Sequence, residues 1–176
     1  LKRLGGTPLS PVSYFIGKIG MVLVSGVLQA ALLLVFAATL LQVQLPAEPE
    51  KWATFGWVFL LGLSTSALLG IAMSALPRTA KSATAVVIPI LLVLQFISGI
   101  YLPFYQLPDW MQTIASVFPL KWMAQGMRAA LLPDDFAVLE TTETWDLTGV
   151  AIALGVWLVI GLVLSRVTFR WVRRDG

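Results

Sequence analysis

The sequence predicts an all-α membrane protein with four transmembrane helices, an interfacial helix before the first of them and a pair of short helices before the last. Its 176 residues are 58% hydrophobic and only 12% charged, whereas about 25% of residues are charged in an average soluble domain. Four long stretches of the chain carry no charged residue. A chain of this size cannot bury so much apolar surface in a core of its own, so lipid is the expected solvent.

Each of the four charge-free stretches is long enough to cross a bilayer, which takes about 20 apolar residues in a helix. The stretches cover residues 19–47, 52–77, 82–108 and 147–165. Within them we place transmembrane helices at 19–41, 54–76, 83–102 and 147–167. A buried helix of a soluble domain is the alternative for any one stretch, but four of them in one short chain favour the membrane.

The charges of the connecting segments predict the orientation. With the segments assigned to alternate sides, one side carries nine Lys and Arg with one acidic residue, and the other carries three with eight acidic residues. Since cytoplasmic segments are enriched in Lys and Arg, both chain ends and the turn at 77–81 are predicted to be cytoplasmic. The basic tail at 168–176 suits either a cytoplasmic partner or anionic lipid headgroups. Its position against a membrane helix argues against nucleic acid.

The segment at 103–132 is too polar and too rich in proline to be a span. Pro108 and Asp109 suit the start of one short helix, and Pro119 ends it and starts a second. Apolar residues recur on one face of each helix, with Trp110, Ile114 and Val117 on the first. We predict a helix pair that enters or lies on the outer leaflet; an ordinary extracellular hairpin is the alternative. An acidic outer loop follows at 133–146, and we assign no binding role to its charges.

The opening segment, residues 1–18, is predicted to be an amphipathic cytoplasmic helix that leads into the first span. Its apolar residues recur at helical spacing, and Lys2, Arg3 and Lys18 would lie at the headgroups. Ser10 could cap a helix that has Pro11 at its first position. The pattern alone suits two roles equally: a lever pushed by a cytoplasmic partner, or a plain interfacial anchor.

The composition lacks residues that several kinds of catalysis and transport require. The chain has no Cys and no His, which removes thiol nucleophiles, His bases and His-ligated metal sites. No ionisable residue lies inside a predicted span, whereas ion-coupled transporters usually need one. The phosphate-binding pattern G-x-x-x-x-G-K-[ST] is also missing. We therefore expect no catalytic residues, no metal site and no cofactor in this chain, and any energy for transport must arrive through its cytoplasmic surface.

Two stretches resemble a known family. "LKRLGGTPLSPVSYFIGKI" resembles the cytoplasmic segment between the second and third spans of type-2 ABC exporter permeases, and "FISGIYLPFYQLPDWMQTIASVFPLKWMAQGMRAALLP" resembles their signature before the last span. The likeness is greatest to bacterial drug and antibiotic exporters. The order of the elements also matches, and the resemblance covers essentially the whole chain.

The resemblance implies a permease of the bacterial cell membrane that works as a homodimer or heterodimer, with the substrate path between its halves. A separate ATP-binding cassette subunit would hold ATP and Mg²⁺ and dock on the cytoplasmic segment. The matching coupling residues are Lys2, Arg3, Leu4, Thr7, Pro8, Leu9 and Ser10. The third span would line the path, with Leu92 and Gln95 facing substrate and Ile100 and Tyr101 near the outer constriction.

The chain departs from the family in having four predicted spans where family permeases have six. It also does not begin with Met, so we expect a fragment that lacks two amino-terminal spans. The predicted function is alternating-access export of a hydrophobic or amphipathic drug-like compound. The alternatives are export of a lipid-linked glycan and a membrane scaffold that transports nothing; a membrane enzyme is disfavoured because catalytic groups are lacking.

Overall fold

The computed structural model describes residues 11–74 and 80–168, which fold into six α-helices and two 3₁₀ helices without any strand. The α-helices are α1 (Pro11–Thr39), α2 (Pro49–Met73), α3 (Ala80–Ile97), α4 (Asp109–Val117), α5 (Pro119–Leu131) and α6 (Leu147–Thr168). The 3₁₀ helices are Phe104–Gln106 and Asp134–Leu139. The all-α class predicted from the sequence is therefore confirmed for the described part of the chain.

Three of the described helices are long and apolar enough to cross a membrane. They are Ile16–Thr39 within α1, the whole of α2 and the whole of α6. In α3 the described apolar stretch, Val87–Ile97, is shorter than a span, so the fourth span stays a prediction. α3 also ends before the predicted boundary at 102, because Gly99 takes a backbone φ of +80° that no helix accommodates.

The first helix is continuous from Pro11 to Thr39. The predicted interfacial helix at 1–18 thus shares its residues 11–18 with the same helix that contains the first span. Residues 1–10 lie outside the described part. Proline is well suited to the first position of a helix, because its ring fixes φ and its missing N–H would have had no partner there.

The core of the structure is built by α2, α5 and α6. Val58 of α2 packs with Val150 and Leu154 of α6, and all three are fully or almost fully buried. Gly126 of α5 lies against this cluster, since a Cβ at that position would come within 2.8 Å of Val58 Cγ1. Further along the same two spans, the backbone of Gly161 approaches Leu68 without a third helix between them. α1 packs against α2 and is exposed over most of its surface.

The short helices α4 and α5 begin at Asp109 and Pro119, as the prolines predict. The corner between them is tied by two indole groups. Trp122 Nε1 donates to the Ser116 carbonyl over 2.7 Å, and Trp157 Nε1 of α6 donates to the Val117 carbonyl over 2.8 Å. The first bond joins α5 to α4, and the second holds their corner against α6. The apolar face of α4 formed by Trp110, Ile114 and Val117 is exposed, so this face is available to lipid.

Candidate functional site: a buried charged cluster on α5

The most polar face of α5 is buried. Lys121, Gln125 and Arg128 recur at intervals of four and three residues, which places them on one side of a helix. Lys121 and Gln125 are buried, and the Arg128 side chain is only 24% exposed. The segments that contact this face are the turn just after α3, the residue just after the second 3₁₀ helix and the residues just before α6. Buried charges need partners, and each of these segments supplies some.

Lys121 is held by an amide and two aromatic rings. Its Nζ donates to Oε1 of Gln125, and it lies 3.9 Å from the ring centre of Trp122 and 5.1 Å from that of Phe104. Gln125 in turn donates through Nε2 to the carbonyl of Trp145 over 2.8 Å. Burial lowers the pKa of Lys121 from its ordinary value of 10.5, and nearby Glu140 opposes that shift. The groups named here that contact the ammonium directly, the Gln125 amide and the two rings, are thus neutral.

Arg128 joins three separate segments. Its Nε donates to Oε1 of Glu140 over 2.7 Å in an ion pair in which the Glu140 side chain is only 5% exposed. Its Nη1 donates to the carbonyl of Gly99 over 3.3 Å, just beyond the end of α3. The φ of +80° at Gly99 favours glycine, and a Cβ there would lie 3.0 Å from Cβ of Phe104. Arg128 therefore connects the end of α3 to α5 and the acidic loop.

A small cavity lies beside the Arg128–Glu140 pair. Its volume is about 80 Å³. The lining residues are Gly99, Pro103, Phe104, Tyr105, Arg128, Leu132, Phe136, Leu139, Glu140 and Trp145. Nη2 of Arg128 and Oε2 of Glu140, the second atoms of the two paired groups, are buried and have no hydrogen-bond partner among the described residues.

A second ion pair lies at the carboxyl end of α5. Lys51 Nζ, at the start of α2, donates to the Leu132 carbonyl over 2.6 Å and to Oδ1 of Asp134 over 2.7 Å. Trp145 Nε1 donates to the same carboxylate oxygen over 3.1 Å. The hydrogen bond from Lys51 lowers the pKa of Asp134 below its ordinary value of 3.8, and the bond from Trp145 adds to the effect. Cations are also favourable at a helix carboxyl end.

The predicted substrate-path residues lie at and beyond the end of α3. Leu92, Ile100 and Tyr101 are exposed, and Gln95 is half-buried. The Tyr101 hydroxyl donates to Oε1 of Gln95 over 3.2 Å, so the structure brings these two together, while their contact with substrate stays a prediction. The predicted coupling residues, Lys2, Arg3, Leu4, Thr7, Pro8, Leu9 and Ser10, lie outside the described residues.

Sequence reasoning did not find the charged cluster. The cations of α5 entered that reasoning only in the charge count, and the acidic loop was given no role. One signal was present, since Lys121, Gln125 and Arg128 share a helix face opposite Met123 and Met127. On spacing alone that polar face would be assigned to water. The described residues hold no group of three or more His, Cys, Asp or Glu that could bind a metal ion.

Together, the three long apolar helices and the covering short helices define a multi-pass membrane protein. A family described as "ABC-2 family transporter protein" matches residues 2–167. Because this match covers nearly the whole chain, the protein belongs to the ABC-2 transporter family.

One relative extends the comparison. The chain is 26% identical over 160 residues to "Uncharacterized protein YhgE" of Bacillus subtilis (strain 168), a match that covers 90% of this chain and 19% of the relative. The chain thus spans about a fifth of that protein's length. Comparison with solved structures gave no significant match.

Proposed function

We propose that this chain is the permease part of an ATP-driven exporter that moves a hydrophobic or amphipathic drug-like compound out of the bacterial cell by alternating access. The observation that carries the proposal is the family match over residues 2–167. The apolar helices α1, α2 and α6 supply a membrane domain of the kind such a permease needs. Both chain ends face the cytoplasm in this proposal, as the charge distribution favours.

The energy would come from a separate ATP-binding subunit that holds ATP and Mg²⁺ and contacts the coupling residues Lys2 to Ser10. The continuous α1 supports this arrangement, because a helix that begins at Pro11 directly continues the coupling segment into the membrane. A displacement of the coupling segment would move α1 as a rigid helix. Because α1 packs against α2, α2 would move with it. Closure of the ATP-binding subunits would in this way tilt the spans.

The substrate path would run along α3, between this permease and a second copy or a related subunit. α3 makes few contacts with the other described helices, and its apolar side chains, among them Leu92, Val93 and Phe96, are exposed. A helix with so little support from its own chain suits a wall shared with a partner permease. Ile100 and Tyr101 lie just beyond its end, where an outer constriction would form.

A membrane scaffold that transports nothing is the second candidate. One observation favours it: the matched segment is only 19% of the Bacillus relative, so most of that protein lies outside the matched segment. Co-purification separates the two candidates. If the full-length protein is a permease, an ATPase should co-purify with it after extraction from the membrane. If it is a scaffold, other proteins should co-purify but no ATPase.

The transport proposal is tested in inverted membrane vesicles that contain the full-length protein and its ATP-binding subunit. ATP-dependent accumulation of a fluorescent amphipathic compound is measured for the native protein and for Leu4→Asp and Leu9→Asp. A charge in the coupling segment should reduce accumulation to the level of vesicles without ATP while ATP hydrolysis continues. Val138→Asp, the same kind of change in the exposed acidic loop, should accumulate the compound normally.

Two results would contradict this proposal. Unchanged accumulation in both Leu4→Asp and Leu9→Asp would remove the coupling role of the opening segment. The scaffold would be favoured if vesicles with the native protein show no ATP-dependent accumulation and no ATPase co-purifies with it.

A further inference from the structure

Helix α5 lies alongside α2, and two contacts fix its position along that span. Near the start of α2, Lys51 Nζ donates to the carbonyl of Leu132, which directly follows α5. Further along α2, a Cβ on Gly62 would lie 2.7 Å from Sδ of Met123, in the first half of α5. The two helices are therefore antiparallel, and the first turn of α5 is the part farthest from Lys51.

The corner between α4 and α5 is placed in the same way along α6. Gln125 Nε2 donates over 2.8 Å to the carbonyl of Trp145, which precedes α6. Just before the start of α5, the carbonyl of Val117, the last residue of α4, accepts from Trp157 Nε1 over 2.8 Å. Because Trp157 lies halfway along α6, the corner lies beside the middle of that span.

These contacts give the depth of the corner in a bilayer. Gly62 lies eleven residues beyond Lys51, and Trp157 lies ten residues beyond Leu147 at the start of α6. At the rise of an α-helix, both positions are about 15–17 Å from the start of the apolar part of their span. The hydrocarbon core of a bilayer is about 30 Å thick, so the corner reaches the region of the midplane.

Helix α4 returns from this corner towards the acidic loop. In its first turn, Gln112 Oε1 accepts from the Thr141 hydroxyl over 3.4 Å, so the two ends of α4 lie at different depths. The Thr113 hydroxyl donates to the carbonyl of Asp109 over 2.9 Å. The Ser116 hydroxyl donates to the carbonyl of Gln112 over 2.7 Å. Hydrocarbon cannot hydrogen-bond polar groups, and these two hydroxyls are satisfied by their own helix without water.

We propose that α4 lies inside one leaflet of the bilayer and that phospholipid acyl chains cover its exposed face. That face consists of Trp110, Ile114 and Val117, which are 62%, 47% and 62% exposed. Val117 lies at the corner and hence near the midplane, while Trp110 begins the helix at the headgroup level that tryptophan favours. Acyl chains remove all three apolar side chains from water without a partner protein. The proposal concerns insertion alone, so it stands or falls independently of the transport proposal.

The test places a single nitroxide label in the full-length protein in lipid nanodiscs, through Val117→Cys, Ile114→Cys or the control Val138→Cys in the exposed acidic loop. Power-saturation EPR measures collisions of each label with oxygen, which concentrates in hydrocarbon, and with a water-soluble nickel chelate, which hydrocarbon excludes. The ratio of oxygen to nickel collisions should be about tenfold higher for Val117→Cys than for Val138→Cys, because a charged chelate is not transferred into an apolar medium. Ile114→Cys should give a ratio between these two.

Three results would overturn the proposal. Equal ratios for Val117→Cys and Val138→Cys would mean that α4 faces water. A ratio for Val117→Cys no higher than for Ile114→Cys would mean that α4 lies flat on the membrane surface. Few collisions with either reagent at position 117 would mean that protein covers the face, and spin–spin broadening would identify that protein as a second copy. If Val117→Cys fails to fold, the comparison of Ile114→Cys with Val138→Cys decides whether α4 is inserted.

Discussion

Arg128 and Gly99 are 29 positions apart in the chain, and the guanidinium Nη1 of Arg128 donates to the Gly99 carbonyl over 3.3 Å. The bond joins the end of α3 to α5, although the two helices otherwise have few contacts. It depends on the backbone of Gly99, whose φ of +80° turns the chain sharply after α3.

Substitution Gly99→Ala should destabilise the protein by about 1–3 kcal/mol, since a side chain at this positive φ is strained. The new Cβ would also lie 3.0 Å from Phe104 Cβ. The measurement is the unfolding free energy of the full-length protein in detergent micelles. Gly155→Ala is the matched control in α6, because a Cβ there meets nothing within 4 Å. Equal stability of the two variants would show that the turn at Gly99 is not strained by a side chain.

Substitution Arg128→Met should cost about 3 kcal/mol of unfolding free energy, because it leaves the buried Glu140 carboxylate without its partner. The double variant Arg128→Met/Glu140→Leu should recover most of this loss, since replacing both members of a buried pair with apolar residues is often close to neutral. Unfolding of both single variants and the double variant gives the coupling energy. A double variant as unstable as Arg128→Met would mean that packing of the Arg128 stem, not its charge, supports the fold.

The Lys51–Asp134 pair should stabilise the protein at neutral pH and lose this effect in acid. Because folding lowers the pKa of Asp134, its contribution is fully present above the unfolded value of about 3.8 and is lost as the pH falls through the lower folded value. The unfolding midpoints of native protein and Asp134→Asn should therefore differ at pH 7 and converge as the pH falls below 3.8. The control is Asp135→Asn, an exposed neighbour for which the described structure gives no ion pair. A difference that persists unchanged in acid would contradict the assignment.

Substitution Gly126→Ala should destabilise the core by about 1–3 kcal/mol, the usual cost of overpacking. The added methyl group would lie 2.8 Å from Val58 Cγ1 of α2 and 3.0 Å from Val150 Cγ1 of α6, so α2 and α6 would have to separate. Thermal unfolding of Gly126→Ala and of Gly70→Ala in the same detergent tests the point, since Gly70 has open space around it. A larger loss in Gly70→Ala would contradict the packing described for α5.

Local signals in the sequence were sufficient to predict much of the helix pattern. Pro108 and Pro119 mark the starts of α4 and α5 because proline fixes φ and cannot continue a helix from the preceding turn. The apolar stretches predicted the long helices α1, α2 and α6, because length and hydropathy can be read directly from a local stretch of sequence. The end of α3 was predicted too late, because a charge-free sequence does not reveal the positive φ of Gly99.

The candidate site could not be predicted in this way, because its contacts are between residues distant in the chain. Lys51 and Asp134 are 83 positions apart, and Arg128 and Glu140 belong to different segments. The charge count used to orient the spans treats every Lys and Arg as solvated, which is the usual state of these residues. Only the packed structure shows that Lys121 and Arg128 lie inside.

The packed core is wider at one end than at the other. Where α2 and α6 begin, α5 packs against both of them around Val58 and Val150; further along, around Leu68 and Gly161, α2 and α6 contact only each other among these three helices. A body tapered in this manner displaces more lipid area from the leaflet that surrounds its broad end.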